Sequence, residues 1–216
     1  MPVITVSRQT GSGGATVGRR LAEQLGATYL NEQILRTVAE RLGISEAAAA
    51  AHDERVENFL ERLARVLWIS HSSFSPTRQP ATPVAFETTT EAFVAATREL
   101  IQEAARSGNA VIFGHGAQFV LAGQPGVLHV RFVAPLAYRV DRVMQRESLS
   151  REAAERWVRE EDQRRAAHIR EHFHADWNSP EHFHLILNTA LWDVASCVRL
   201  VLAAVEELKR RGVDQA

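Results

Sequence analysis

The residues of this chain with the clearest chemical potential are a glycine run and a series of arginines. Arg8-Gln9-Thr10-Gly11-Ser12-Gly13-Gly14-Ala15-Thr16 interleaves glycines with small and hydroxyl side chains. Glycines let successive backbone N–H groups converge on one concavity, which suits a phosphate. Downstream, Arg139, Arg142 and Arg146 fall at i, i+3 and i+7, on one helix face. Arg151, Arg156, Arg159, Arg164, Arg165 and Arg170 follow, mixed with Glu160, Glu161 and Asp162. Phosphoryl transfer needs cations around the transferring group, because charge spreads over its equatorial oxygens. Arginine clamps such oxygens in a planar fork. The same arginines could instead lace an exposed helix with i, i+4 ion pairs. The glycine loop upstream favours an arginine-rich lid that closes over phosphate.

The elements around the loop support this. Val3-Ile4-Thr5-Val6 reads as a buried strand, and Val17, Leu21 and Leu25 mark one face of a helix after the glycines. Strand, glycine turn and helix in that order build a phosphate-binding loop, with the helix N-terminus adding partial positive charge. The letters fit the G-x-x-x-x-G-K-[ST] pattern only in part. With Gly13 on the second glycine, Arg8 falls on the first, Gly14 on the lysine and Ala15 on the hydroxyl residue. Thr16 supplies a hydroxyl one place later.

Further strands are expected at 27–30, 109–114, 127–133 and 184–187. Helices are expected over about 32–42, from Ser45 through the Val56, Phe59, Leu60, Leu63, Leu67 stripe, and over about 90–107, where Thr88 and Glu91 have capping-box spacing. Three more run from Pro135 to about Glu147, from a Ser150 cap to about Phe173, and along Val194, Val198, Val201, Val205 and Leu208. Residues 70–90 are rich in Ser, Thr and Pro and read as a long loop. Alternating strands and helices predict an α/β fold: a parallel sheet with helices on both faces and ligands at the carboxyl ends of its strands. That rule gathers residues 8–16, the turn Gly114-His115-Gly116 and the Ala134 region at one edge.

Five of the nine histidines lie between His168 and His184. His168 and His172 are spaced i, i+4, and His182 and His184 are expected on one strand face, spacings that can bind zinc. His174 breaks the pattern and no cysteine is near, so a structural role is preferred and no metal-ligating residue is assigned. At 216 residues and 45% apolar content, the chain has the size of one domain with a full core. A formal net charge of −1 argues against nucleic acid and anionic membranes as partners. The single cysteine, Cys197, excludes an internal disulfide. No signal peptide is apparent, and no apolar run approaches ~18 residues. A cytoplasmic protein is expected, and a homodimer is compatible with the sequence.

Several segments together resemble the cytidylate kinase-like family, a branch of the P-loop nucleoside monophosphate kinases. They are Ser7 to Gly14, His52 to Arg62, Ala110 to Ala117, Glu161 to Ala167, Asp176-Trp177 and Leu185 to Thr189. By composition alone Asp53, Glu54 and Arg55 belong to a solvated face; the resemblance raises Asp53 and Arg55 above that. It implies a P-loop NTPase fold with a five-stranded parallel sheet. Its core would be about 1–30, 108–148 and 182–211, with an acceptor-side helical region at about 31–107 and a lid at about 149–178. It implies transfer of phosphate from ATP, with Mg2+, to a nucleoside monophosphate such as CMP or dCMP. Gly11, Ser12, Gly13, Gly14, Ala15 and Thr16 would hold the ATP phosphates. Arg164 and Arg165 would close over the transferring group, and Asp162 would orient the lid or contact the acceptor. Arg36, Arg41, Asp53, Arg55, His115 and Arg139 would face the acceptor. Two departures bear on activity: Gly14 stands at the lysine position, and His115-Gly116 stands where cytidylate kinases carry Arg-Asp. Arg8 is the expected stand-in for the lysine. The rival readings are a nucleotide-binding pseudokinase and a kinase of a non-nucleotide small molecule.

Overall fold

The computed structural model describes residues 2–31, 34, 37, 38 and 84–213. The chain divides into two compact units, residues 1–31 with 101–216, and residues 32–100. The first unit holds a parallel sheet of five strands in the order β2-β3-β1-β4-β5. These are β1 (Val3–Arg8), β2 (Thr28–Leu30), β3 (Ala110–Phe113), β4 (Val127–Val133) and β5 (Leu185–Asn188). Thr5 on the central strand sits opposite Ile112 on one side and His129 on the other. The described helices are α1 (Gly14–Leu25), α2 (Val84–Ser107), α3 (Ala117–Val120), α4 (Leu136–Glu147), α5 (Arg151–Phe173) and α6 (Val194–Val213).

The strands read as apolar runs because helices cover them. Ile4, Val6, Val111, Phe113, Leu128, Val130 and Phe132 point to one face, against Val17 and Leu21 of α1 and Val198, Val201 and Val205 of α6. Burying one such side chain contributes roughly 1.5–3 kcal/mol. Cys197 packs there as a small apolar residue. The alternate positions are polar although buried: Thr5, Ser7, His129 and Arg131. That polar second face is a finding of the structure, since 127–133 reads as one more buried apolar strand.

Three further expectations are corrected. The helix expected from about Thr90 begins at Val84, so residues 84–90 are helix and not loop. Thr88 and Glu91 then lie inside it; their i, i+3 spacing is a short signal, and threonines are tolerated within a 24-residue helix. His182 closes a 3₁₀ turn, Pro180–His182, opened by the proline, so it shares no strand face with His184. Pro135 is the N-cap of α4 and not its first residue. Ser150 caps α5 as expected, accepting from the Ala153 N–H at 3.3 Å. The expected helix from Ser45 and the loop over 70–83 lie outside the described residues. Among the described residues no helix is long and apolar enough to cross a membrane.

The second face carries a titratable group deep in the sheet. His129 Nδ1 lies 2.8 Å from Thr5 Oγ1, and the His129 N–H donates to His184 Nδ1 at 3.0 Å. The two rings stack with centroids 4.8 Å apart. Burial, and then the proximity of His184, pushes His129 down from 6.5 to about 4. The fold therefore holds His129 neutral where the unfolded chain would protonate it. This stabilisation is complete above about pH 6.5 and is lost as pH falls towards about 4. Thermal melts should fall in Tm across that window, and His129→Gln should make the slope shallower; an unchanged slope would contradict the assignment.

Candidate active site

The carboxyl end of β1 runs through Arg8 into the glycine loop, and α1 starts at Gly14. Gly11 has φ +79°, and a Cβ there would lie 2.5 Å from the Arg139 carbonyl oxygen. No L side chain suits both the backbone and the space. Gly14 is required for a different reason. A Cβ on it would stand 2.9 Å from Phe132 Cδ2 and 3.0 Å from Arg8 Cβ. The lysine position of the phosphate-loop pattern is thus filled by its neighbours. α1 has no acidic residue in its first turn and no side-chain cap at its start. The Thr16 and Val17 N–H groups donate to the Gly13 carbonyl, while those of Gly14 and Ala15 precede the helical hydrogen bonds and keep their positive end for an anion. Ser12 Oγ is buried in the loop with no hydrogen-bond partner among the described residues. Thr16 is exposed on the first helical turn. These features fit a loop that takes phosphate.

Asp162 joins the loop to α5. Its Oδ1 accepts from the Thr10 N–H and the Thr10 hydroxyl, both at 2.9 Å, and from Arg165 Nη1 at 3.0 Å. Its Oδ2 accepts from Arg139 Nη1 at 2.6 Å. Arg139 also donates to the Ala134 and Thr10 carbonyls, and Arg165 to the Arg8 carbonyl at 3.1 Å. One carboxylate thereby ties the loop, α4 and α5. These contacts are those of a group that fixes where α5 lies against the loop. Arg139 and Arg165 are buried, and their guanidinium groups are engaged in the same tie. Burial pushes Arg165 well below its ordinary value, and the neighbouring Arg8 charge adds to this; Asp162 and Glu161 oppose it.

The remaining cations occupy different places. Arg164 is half-exposed and pairs with Glu161 at 2.8 Å. Arg8 lies over the Phe113 ring, 4.3 Å from its centroid, and burial pushes it down to about 10. The guanidinium against the loop's glycine is that of Arg142, whose Nη2 is 3.0 Å from where a Gly13 Cβ would stand. Arg142 also donates to the Tyr138 hydroxyl at 3.2 Å. The i, i+3, i+7 spacing points to Arg142, but its contact with Gly13 is not readable from the sequence. His115 follows β3 with φ +55°. Burial is the main cause that brings it down to about 4, and the Arg8 charge acts in the same sense. A hydrogen bond with the Asn31 backbone opposes both. His115 is therefore neutral at pH 7, and its Nδ1 is buried with no hydrogen-bond partner among the described residues. Arg36, Arg41, Asp53 and Arg55 lie outside the described residues.

Removing the Asp162 charge would leave two buried guanidinium groups short of their carboxylate. Asp162→Asn should therefore lose roughly 3 kcal/mol in urea unfolding, as broken buried ion pairs do. A loss below about 0.5 kcal/mol, the size of an ordinary surface change, would contradict the tie.

Comparison with known proteins agrees with this architecture. The model of the Cytidylate kinase-like family matches residues 3–191. The chain is 28% identical over 214 residues to a cytidylate kinase of Aeropyrum pernix, covering 96% of this chain and 99% of that one. It is 26% identical over 221 residues to a cytidylate kinase of Methanopyrus kandleri, covering 97% and 95%. Among solved structures, an uncharacterized protein from Eubacterium ventriosum superposes with a TM-score of 0.68 at 15% identity, covering 95% of this chain and 99% of that one. A gluconokinase from Sinorhizobium meliloti superposes at 0.54 and 15% identity, covering 100% and 97%. The fold is that of the P-loop kinases, and the chain belongs to the cytidylate kinase-like family.

Proposed function

We propose that this protein is a nucleotide-binding phosphotransferase that moves phosphate from ATP, with Mg2+, to a nucleoside monophosphate of the CMP or dCMP class. The observation that carries the reading is the glycine loop at the start of α1, with a guanidinium set against Gly13 and an arginine-bearing helix tied across it. The loop N–H groups and Ser12 Oγ bind the phosphates. Thr16, exposed on the first turn of α1, would meet the metal's water shell. Magnesium, when bound, neutralises phosphate charge. Arg142 is the cation for the site left without a lysine, a role that its position suits better than that of Arg8. Arg8 and the neutral His115 stand at the β3 end, towards the acceptor. No general base is required, because positioning and charge neutralisation carry most of this chemistry.

A second reading has its own support. Gly14 leaves no room for a lysine, and His115 is a neutral group where cytidylate kinases carry arginine. Both favour a protein that holds nucleotide with little or no turnover. ADP release from ATP and Mg2+ with a panel of nucleoside monophosphates separates the two. Turnover with CMP or dCMP is expected, and Arg142→Ala should lower it ~100-fold, the scale of one lost transition-state donor. Arg164→Ala is the better lid control, since Arg165 is buried in the tie. Turnover with none of the panel, in a protein that still binds ATP, would contradict the kinase reading and support the second. Turnover with a non-nucleotide acceptor would move the assignment to a small-molecule kinase.

A further inference from the structure

The interior of the polar sheet face holds a charged group that the site described above does not use. Arg131, in the middle of β4, is buried. Its guanidinium lies over the Trp177 ring, 4.3 Å from the centroid, and 5.2 Å from that of Phe183. It donates to the Trp177 carbonyl and, at 3.0 Å, to Asn178 Oδ1. Trp177 is buried too, and the Arg165 guanidinium lies 5.7 Å from the same ring. Arg165 in turn holds Asp162, which holds Thr10. An unbroken series of contacts runs from the sheet to the phosphate loop through the segment that follows α5.

The two halves of α5 are fixed by different forces. The first half packs on α4 through Ala154 and Val158 against Val140 and Val143. Apolar packing is non-directional, and the polar contacts beside it, Arg151 with Asp141 and Arg146 over the Trp157 ring, are solvent-exposed and add little. Past Asp162, the helix ends at His174 in the left-handed region, and the chain turns back through Asp176, whose carboxylate accepts from the Asn178 N–H at 2.9 Å. Arg131 grips this turn. Two desolvated guanidinium groups about one indole are a costly way to fill space, and apolar side chains would fill it at less cost. What arginine adds is direction: a planar group that stacks on a ring and donates in its own plane.

We propose that Arg131 is a positioning residue. Through Trp177 it sets where Arg165 lies, and so aligns the arginine-bearing helix with the phosphate loop. Its functional meaning rests on the reading of α5 as a lid, but its test needs no turnover. Hydrogen exchange of the Thr10 amide, which donates to Asp162, reports the alignment directly. Arg131→Lys keeps the charge and loses the plane. It should speed exchange at Thr10 and over 160–166 by ~10-fold or more, with Ile4 and Val6 in β1 little changed, as a local opening does. Trp177→Phe, which keeps a ring, should behave as the parent, and Trp177→Leu as Arg131→Lys. Exchange that rises equally in β1 and the loop, or Trp177→Phe and Trp177→Leu behaving alike, would overturn the proposal and leave Arg131 a core residue only. MgATP binding by the parent, measured alongside, tests the nucleotide reading separately. Its absence would sink that reading while the exchange result still decides the role of Arg131.

Discussion

A largely buried carboxylate between two arginines needs donors on both oxygens, and Asp162 has them. Two donors come from Thr10 in the loop, one from Arg139 on α4 and one from Arg165 on α5. Such a group has little tolerance for displacement, because a donor lost in a low dielectric is not replaced by water. The geometry of the candidate site follows from it. The loop cannot move without moving α5, and α5 cannot tilt without stretching bonds to α4. The buried arginines are held in this tie, and in the proposed function the chemistry is assigned to less enclosed groups: Arg142, Arg164 and the loop N–H groups.

The loop itself shows how packing can decide chemistry. Gly14 stands where a lysine would project, yet Phe132 and the stem of Arg8 occupy that space. A lysine at this position would have to displace both side chains. Positive charge enters from α4, where Arg142 meets Gly13, while Arg8 is turned onto Phe113. A cation brought from a neighbouring helix depends on the orientation of that helix, which returns to the Asp162 tie.

Much of this was legible in the sequence. Apolar runs marked four of the five strands, the short and partly exposed Thr28–Leu30 carrying a weaker signal, and the Ser150 cap and the glycine run marked two helix starts. Local patterns of this kind are written in a few consecutive residues. What was not legible is long-range. Nothing near His129 or Arg131 says that alternate positions of β4 meet a polar layer, because their partners are His184, Trp177 and Asn178. Arg165 looks like any arginine of a solvated helix until its contacts with Asp162 and the Arg8 carbonyl are seen. The early start of α2 was hidden by a capping-box spacing that arises without a cap.

The central claim is that this loop, without its lysine, binds a nucleotide through the cradle formed by Gly11 to Thr16. Calorimetric titration of MgATP into the parent and into Gly11→Ala tests it most directly, with far-UV circular dichroism confirming that both are folded. The account predicts one-site binding by the parent and affinity weakened at least ~10-fold in the variant, because its new methyl group must displace the loop from Arg139. Equal affinity in the two proteins, or no binding by a folded parent, would contradict it.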